Sequence, residues 1–150
     1  MTVVGIEANI VNGLLAAVEA QTYTGKKKDN TSTGNLAYAW PEVTLDVSNK
    51  PYYLAVDVVL NNHGFQPVAG NNVERMGFLI IKVVWPKNEG IIRPSEVASA
   101  IALAWKAGTT IFGTGVKVVV SPDPYLSSPL PDPTRVSIAV NIPWKAYKTN

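Results

Sequence analysis

The sequence has no cysteine among its 150 residues, and this absence excludes two kinds of site. Neither a disulfide framework nor a thiolate metal centre can form without cysteine. Histidine is almost as scarce, because His63 is the only one. A single imidazole provides no pair for a zinc site, and His63 stands beside Gly64 in a polar turn that is typical of a solvated loop. We therefore expect no metal site.

Charge is scarce as well. Lysine, arginine, aspartate and glutamate make up 16% of the chain, and the formal net charge is only +2. Nucleic-acid binders need dense stripes of lysine and arginine that release counterions, so we do not expect tight DNA binding.

Long apolar runs are missing too, and none approaches the roughly 18 residues of a membrane helix. Because the first residues lack the positive region of a signal peptide, we expect a soluble protein made in the cytoplasm.

No group of residues matches a catalytic motif. Gly108 and Gly113 have the spacing of a phosphate-binding loop, but Thr114-Gly115 stands where that loop requires lysine followed by serine or threonine. The acidic residues form no close pair that could divide the roles of acid and base. We predict no catalytic, cofactor-binding or metal-binding residue, and hence a protein that is not an enzyme.

Alternating apolar residues predict strands near residues 51–61, 73–85, 116–121 and 134–142. In the first and last of these, polar residues occupy one face. The strand 73–85 is different because it is apolar on both faces. One face carries Leu79, Ile81 and Val83, and the other carries Met76, Phe78, Ile80 and Val84. Both faces of this central strand therefore need to be covered.

Two helices are predicted by apolar residues at helical spacing. The first spans about residues 4–20, and the second spans about 94–107, after the helix-start sequence Arg93-Pro94-Ser95-Glu96 and before Gly108. We predict one α+β domain over residues 1–150, in which two helices cover an antiparallel sheet of about four strands. The predicted core comprises Val56, Val58, Leu79, Ile81, Ile101, Trp105, Ile138 and Val140.

Two segments do not fit the regular pattern. Residues 25–35 lack large apolar side chains, contain Lys26, Lys27 and Lys28, and are predicted to form a flexible loop that provides polar contacts or solvent-facing charge. Residues 121–133 hold five of the eleven prolines and should form a stiff, extended arm. The apolar side chains on this arm, Tyr125, Leu126 and Leu130, are candidate contacts with another subunit or a partner.

The four tryptophans fall into two pairs. Trp85 and Trp105 lie in the core patterns of a strand and a helix, so we expect them to be buried. Trp40 and Trp144 each neighbour a proline at the end of a segment. We predict that they bury an edge of the fold or contact another subunit.

Several local phrases, together with the order of elements, resemble a known family. The phrases are Ala39-Trp40-Pro41, Pro51-Tyr52-Tyr53-Leu54-Ala55-Val56-Asp57-Val58, Val84-Trp85-Pro86, Ala98-Ser99-Ala100-Ile101-Ala102 and Asn141-Ile142-Pro143-Trp144. This arrangement is similar to the small tail proteins of long-tailed bacteriophages, in particular the tail terminator family. The resemblance covers nearly the whole chain.

The resemblance implies a structural virion protein that forms a hexameric ring on the tail tube, ends tube polymerisation and joins the tail to the neck. It implies as partners further copies of the chain, the tube protein and a head–tail connector or neck protein, with DNA only as passing cargo. No cofactor and no membrane are implied. Two alternatives stay open: another neck or tail-completion protein, and a module that binds a small ligand or peptide beside Trp40 and Trp144.

Overall fold

The computed structural model describes residues 5–41, 51–61 and 74–148. His63 lies outside these residues. The two helices are α1 (Gly5–Glu19) and α2 (Ile92–Ala104). The strands are β1 (Thr24–Lys26), β2 (Ser32–Asn35), β3 (Ala37–Ala39), β4 (Tyr53–Asn61), β5 (Glu74–Pro86), β6 (Thr110–Gly113), β7 (Val116–Val120), β8 (Tyr125–Leu126), β9 (Leu130–Pro131) and β10 (Arg135–Lys148).

Eight of these strands form one sheet, in the order β3-β4-β5-β10-β7-β6, with β8 and β9 also paired to β10. The β3 and β4 strands are parallel, and all other neighbours are antiparallel. The long β10 strand pairs along one edge with β5, and along the other edge with β9, β8 and β7 in turn. The β1 and β2 strands form a separate hairpin.

The predicted α+β fold with about four antiparallel strands is therefore wrong. The described part of the chain is mostly β, and its main sheet is mixed and has eight strands, twice the expected number. The predicted strands and both helices lie close to their expected ranges. The additional strands have two to four residues each, and such short strands leave no periodic apolar pattern in a sequence.

The last strand continues six residues beyond its predicted end, through Pro143 to Lys148. Proline usually interrupts a ladder because it has no N–H to donate. Here the carbonyl of Pro143 accepts the Ser121 N–H at 3.1 Å. Pro143 stands where the pairing of β10 passes from Tyr125 of β8 to Val120 of β7, so no partner there requires an N–H.

Both helices pack on the same face of the sheet, which we call the inner face. Ile10, Leu14 and Val18 of α1 are fully buried, and so is Ile101 of α2. The helix stripes meet the buried residues of β4, β5, β7 and β10 in one hydrophobic core. Seven of the eight predicted core residues are buried, and the eighth, Val58, packs half-buried against them. The predicted burial of Trp85 and Trp105 is confirmed as well.

Candidate functional site

The part of the chain that the structure describes contains no cluster of three or more histidine, aspartate or glutamate side chains that could hold a metal ion. Within the same residues, no helix is long and apolar enough to cross a membrane. The surface instead carries several large apolar side chains that remain in contact with solvent. The candidate site therefore consists of these exposed side chains and the elements that position them.

The proline-rich segment 121–133 is folded against its own chain, and its backbone is hydrogen-bonded at several points. Tyr125 and Leu126 pair with β10 as strand β8, and the Ser127 N–H donates to the Ala139 carbonyl at 2.9 Å. At the start of the segment, the Asp123 carboxylate accepts the Ala107 N–H at 2.8 Å. The β10 strand thus offers its free edge to this segment. These hydrogen bonds join the segment to other parts of the chain, and the predicted stiff, extended arm stays a prediction.

Asp132 closes the segment in a tight turn. Its carboxylate accepts the N–H groups of Thr134 at 2.9 Å and Arg135 at 2.6 Å. These backbone hydrogen bonds favour the ionised carboxylate and lower the pKa of Asp132 below its usual value. The turn leads directly into β10, so the segment is fixed at both ends.

The apolar side chains of this segment still face solvent. Tyr125 is 52% exposed and Leu130 is 58% exposed, and Leu126 is exposed to a smaller degree. Tyr125 lies opposite Asn141, on the sheet face away from the helices, whereas Leu126 lies opposite Val140 on the inner face. These three candidate interface residues are therefore accessible, on a backbone that is already ordered.

Trp40 and Trp144, the other two candidate interface residues, are not brought together. Trp144 is 1% exposed and lies in the core, where its ring packs over Gly77. Its predicted role as a subunit contact is therefore wrong, because the strand continues past Pro143 and turns this side chain inward. Trp40 is half-buried after β3, with its ring 5.0 Å from that of Tyr38. The strands β4 and β5 separate the two tryptophans, so they do not lie side by side in the described part of the chain.

The lysine-rich segment forms the β1–β2 hairpin, in which Lys26 and Lys28 are exposed and Lys27 is half-buried. One carboxylate holds the hairpin turn to the body of the protein. Glu89 accepts the Lys28 N–H at 3.0 Å and the Tyr52 hydroxyl at 2.5 Å. Desolvation, together with the hydrogen bond to Glu89, raises the pKa of Tyr52 to about 12. The predicted flexibility of residues 25–35 concerns motion and stays a prediction.

A cleft of about 450 Å³ lies between this hairpin and α2. Arg93 crosses one end, where its guanidinium donates to the Asn30 side chain at 2.9 Å and lies 3.3 Å from the Glu96 carboxylate. Lys26 also lines the cleft. The charged groups of the cleft are thus used in part to fasten the hairpin to the helix.

A second surface is the sheet face opposite the helices, which we call the outer face. The strand register places Val59, Phe78 and Pro143 in one row across β4, β5 and β10, and Asp57, Ile80, Asn141 and Tyr125 in the next. Phe112 of β6 stands on the same face beside Lys117 and Tyr147, and it is 73% exposed. No described helix or strand packs on this face.

A third surface is the side of α2 that points away from the sheet. Ile92 and Leu103 are 72% and 75% exposed at its two ends. Between them lie the smaller residues Ser95, Ser99 and Ala100, which together form a shallow groove with Glu96 on its rim. The helix thus carries large apolar side chains on both sides, because Val97 and Ile101 are buried in the core on the other side.

Sequence reasoning missed Ile92, Leu103 and Phe112. The signal for Leu103 was present, because it falls outside the buried helical stripe of Val97, Ile101 and Trp105. For the outer face, the signal in the sequence was the apolar outward side of β5. The apolar pattern of β5 predicts that both of its faces are covered, and it does not say by what.

One comparison with known proteins identifies a family. The family model described as phage tail terminator protein matches residues 13–144, which is most of the chain. No curated protein matches the sequence. One solved structure superposes with a TM-score of 0.68 at 17% sequence identity, covering 100% of this chain and 97% of its own. At that identity, the likeness shows a shared fold and nothing further.

Proposed function

We propose that this chain, which belongs to the phage tail terminator family, forms a ring that caps the tail tube and ends tube polymerisation. The family consists of structural proteins of the virion tail and not of enzymes. The finer role adds a position at the neck, where the ring joins the tail to the head side. The observation that carries the proposal is the family match over residues 13–144.

The partners follow from that role. The ring is built from copies of this chain, and we take six as their number. One side of the ring meets the tube protein, and the other meets a head–tail connector or neck protein. DNA passes through the ring as cargo, and the chain is made in the host cytoplasm before it joins the virion at the neck.

The exposed apolar surfaces support assembly as the working mode of the protein. Ile92, Leu103 and Phe112 are each more than two thirds exposed, and Tyr125 and Leu130 are more than half exposed. Large contiguous apolar patches on a protein surface mark sites of protein association, ligand binding or membrane contact. Contacts between different patches on successive copies close into rings when the rotation between copies divides a full turn.

Mass photometry of the purified chain, alone and with tube protein, tests the ring. We expect a single defined oligomer, either in solution or formed on the tube. A stable monomer that ignores tube protein would contradict the proposal. Measuring both samples separates a ring that forms by itself from one that needs the tube as a template.

The proline-rich segment provides a more specific test. Because Tyr125 and Leu126 lie on an ordered backbone, they lose little conformational entropy on binding. We predict that replacing both with serine leaves the monomer folded and weakens ring formation. A phage that carries this variant should make tails of irregular, excess length or tails that fail to join heads.

The matched control is Lys106→Ser, at an exposed position outside the segment. It should leave both assembly and tail length unchanged. Normal rings and normal tails from the double variant would remove this segment from the mechanism.

A further inference from the structure

We infer that, between neighbouring copies, the exposed side of α2 of one copy packs on the outer face of the sheet of the next. This inference rests on the ring proposed above and names the two surfaces that build it. It makes each subunit contact a repeat of the helix-on-sheet packing that already exists inside the chain.

The first argument is the composition of the outer face. A sheet face that stays in water usually alternates with polar residues, as β10 does with Ser137 and Asn141. The central strand β5 does not follow this rule, because its outward residues include Phe78 and Ile80, which remain only half-buried. Beside Phe78 lies Val59, which is exposed. Covering a face of this kind with a second layer lowers the free energy, because apolar surface is removed from water.

The second argument is the shape of the exposed side of α2. Ile92 and Leu103 are eleven residues apart, which corresponds to about 16 Å along the helix. The small side chains of Ser95 and Ser99 lie between these two large ones. Such a surface has a low centre and raised ends, so it can receive a ridge of larger side chains from another layer.

The third argument is direction. On its inward side α2 buries Val97, Ala98 and Ile101 in the core above the inner face of the sheet. Its exposed side therefore points away from the sheet, in the direction opposite to the outer face. Two complementary surfaces on opposite sides of one chain cannot pair in a closed two-fold dimer, and they propagate from copy to copy. This is the type of contact that a ring requires.

Charge is consistent with this pairing. The outer face carries the exposed Lys82 and Lys117, whereas the groove on α2 contains one charged residue, Glu96, which also lies 3.3 Å from Arg93. The outer face also carries Asp57, whose carboxylate already accepts the N–H of Val58 at 2.9 Å. Opposite charges at the rim of an apolar contact favour one orientation and disfavour contacts between two like surfaces.

Disulfide trapping tests the contact directly, because the natural chain has no cysteine. Ser99→Cys marks the exposed side of α2, and Val59→Cys or Lys82→Cys marks the outer face. We expect a mixture of a helix variant and a sheet variant to yield disulfide-linked dimers under mild oxidation. A chain that carries both substitutions should yield a covalent ladder, and neither single variant alone should cross-link efficiently. Thr114→Cys, in the exposed β6–β7 turn, is the control and should not cross-link with Ser99→Cys.

The outcomes separate this inference from the proposed function. Rings that form without a helix-to-sheet disulfide at either sheet position would overturn the inference, and the proposed ring would still stand. Efficient cross-linking of Ser99→Cys with itself would overturn it as well, because that contact pairs two like surfaces. A chain that stays monomeric with tube protein present would overturn both.

A charge placed on the helix surface provides a second measurement. Leu103→Lys changes a side chain that is 75% exposed, so the monomer should fold normally. Burying the new ammonium group against the apolar sheet should raise the concentration for half-assembly about tenfold or more. Thr114→Lys adds the same charge in the β6–β7 turn and should leave this concentration unchanged. An unchanged value for Leu103→Lys would exclude α2 from the contact.

Discussion

Gly77 is the residue at which the packing of the core leaves the least room. A Cβ atom at this position would lie 2.1 Å from the Val59 carbonyl oxygen and 2.7 Å from the ring of Trp144. Both distances are far below van der Waals contact. The absence of a side chain at Gly77 is therefore what lets the Trp144 ring approach the sheet closely and become part of the core.

We predict that Gly77→Ala lowers the free energy of unfolding by about 3 kcal/mol, because the backbone of β4 would have to move. Gly13→Ala is the matched control. Its Cβ would meet Gly113 at an ordinary 3.6 Å, and alanine is the better helix former by about 1 kcal/mol. Denaturant unfolding of the two variants should show opposite signs, and equal stability of Gly77→Ala and the natural chain would contradict this packing.

Two tyrosines should make the fold sensitive to alkaline pH. Burial raises the pKa of Tyr38 to about 12, and its hydroxyl donates to the Gln21 carbonyl at 2.6 Å. Desolvation and Glu89 raise the pKa of Tyr52 to about 12 as well. In the unfolded chain both groups ionise near pH 10. Between these values the folded state holds more protons, so stability falls as pH rises.

We therefore expect the free energy of unfolding to be steady with respect to these tyrosines below pH 10 and to decrease from pH 10 to 12. Replacing both residues with phenylalanine should flatten this decrease, although it also removes two hydrogen bonds. Denaturant titrations at pH 9, 10 and 11 measure the slope. An identical slope in the double variant would show that these tyrosines do not cause it.

At the scale of elements, the long ones could be predicted and the short ones could not. The helices and the strands β4, β5, β7 and β10 carry apolar periods over five or more residues, and all lie near their predicted ranges. The strands β3 and β6 have three and four residues, and β8 and β9 have two each, so their pairing depends on which backbone edge lies nearby. That information is tertiary and does not appear in local sequence.

The same contrast between local sequence and tertiary pairing applies to the candidate interface residues. Tyr125, Leu126 and Leu130 could be identified because apolar side chains in a proline-rich segment are unusual, and they are exposed. The sequence places Trp144 after a strand that is predicted to end at residue 142, which leaves it to bury an edge of the fold or to contact another subunit. Its burial follows from the junction between β7 and β8, where a residue without an N–H is tolerated.

The β1–β2 hairpin is the element whose attachment can be tested most simply. Glu89 is the acceptor for both the Lys28 N–H and the Tyr52 hydroxyl. We predict that Glu89→Ala speeds tryptic cleavage after Lys26, Lys27 or Lys28 in the folded protein, since local opening becomes easier. The free energy of unfolding should change by only about 1 kcal/mol, because the hairpin turn is exposed.

Glu89→Gln is the control for this variant. The amide oxygen can still accept one of the two hydrogen bonds, so cleavage should be intermediate between the natural chain and Glu89→Ala. Limited proteolysis followed by mass spectrometry identifies the cleaved bond. Equal cleavage rates in all three proteins would show that Glu89 does not restrain the hairpin.

At the scale of the whole molecule, the two faces of the sheet differ in whether a second layer packs on them. The helices cover the inner face of the sheet, and no described element covers the outer face, although its central strand is apolar. The exposed side of α2 lies on the opposite side of the molecule. A subunit of this kind is well suited to association with its own copies, which is the behaviour that a tail terminator ring requires.

Polymerisation of tube protein in the presence of this chain tests the central claim most directly. Tube length is measured by electron microscopy, with the chain added at increasing ratios before polymerisation begins. The account predicts shorter tubes of narrower length distribution, each with extra density at one end, and no such effect from an unrelated protein of equal size. Tubes that keep their full length and bare ends at every ratio would contradict it.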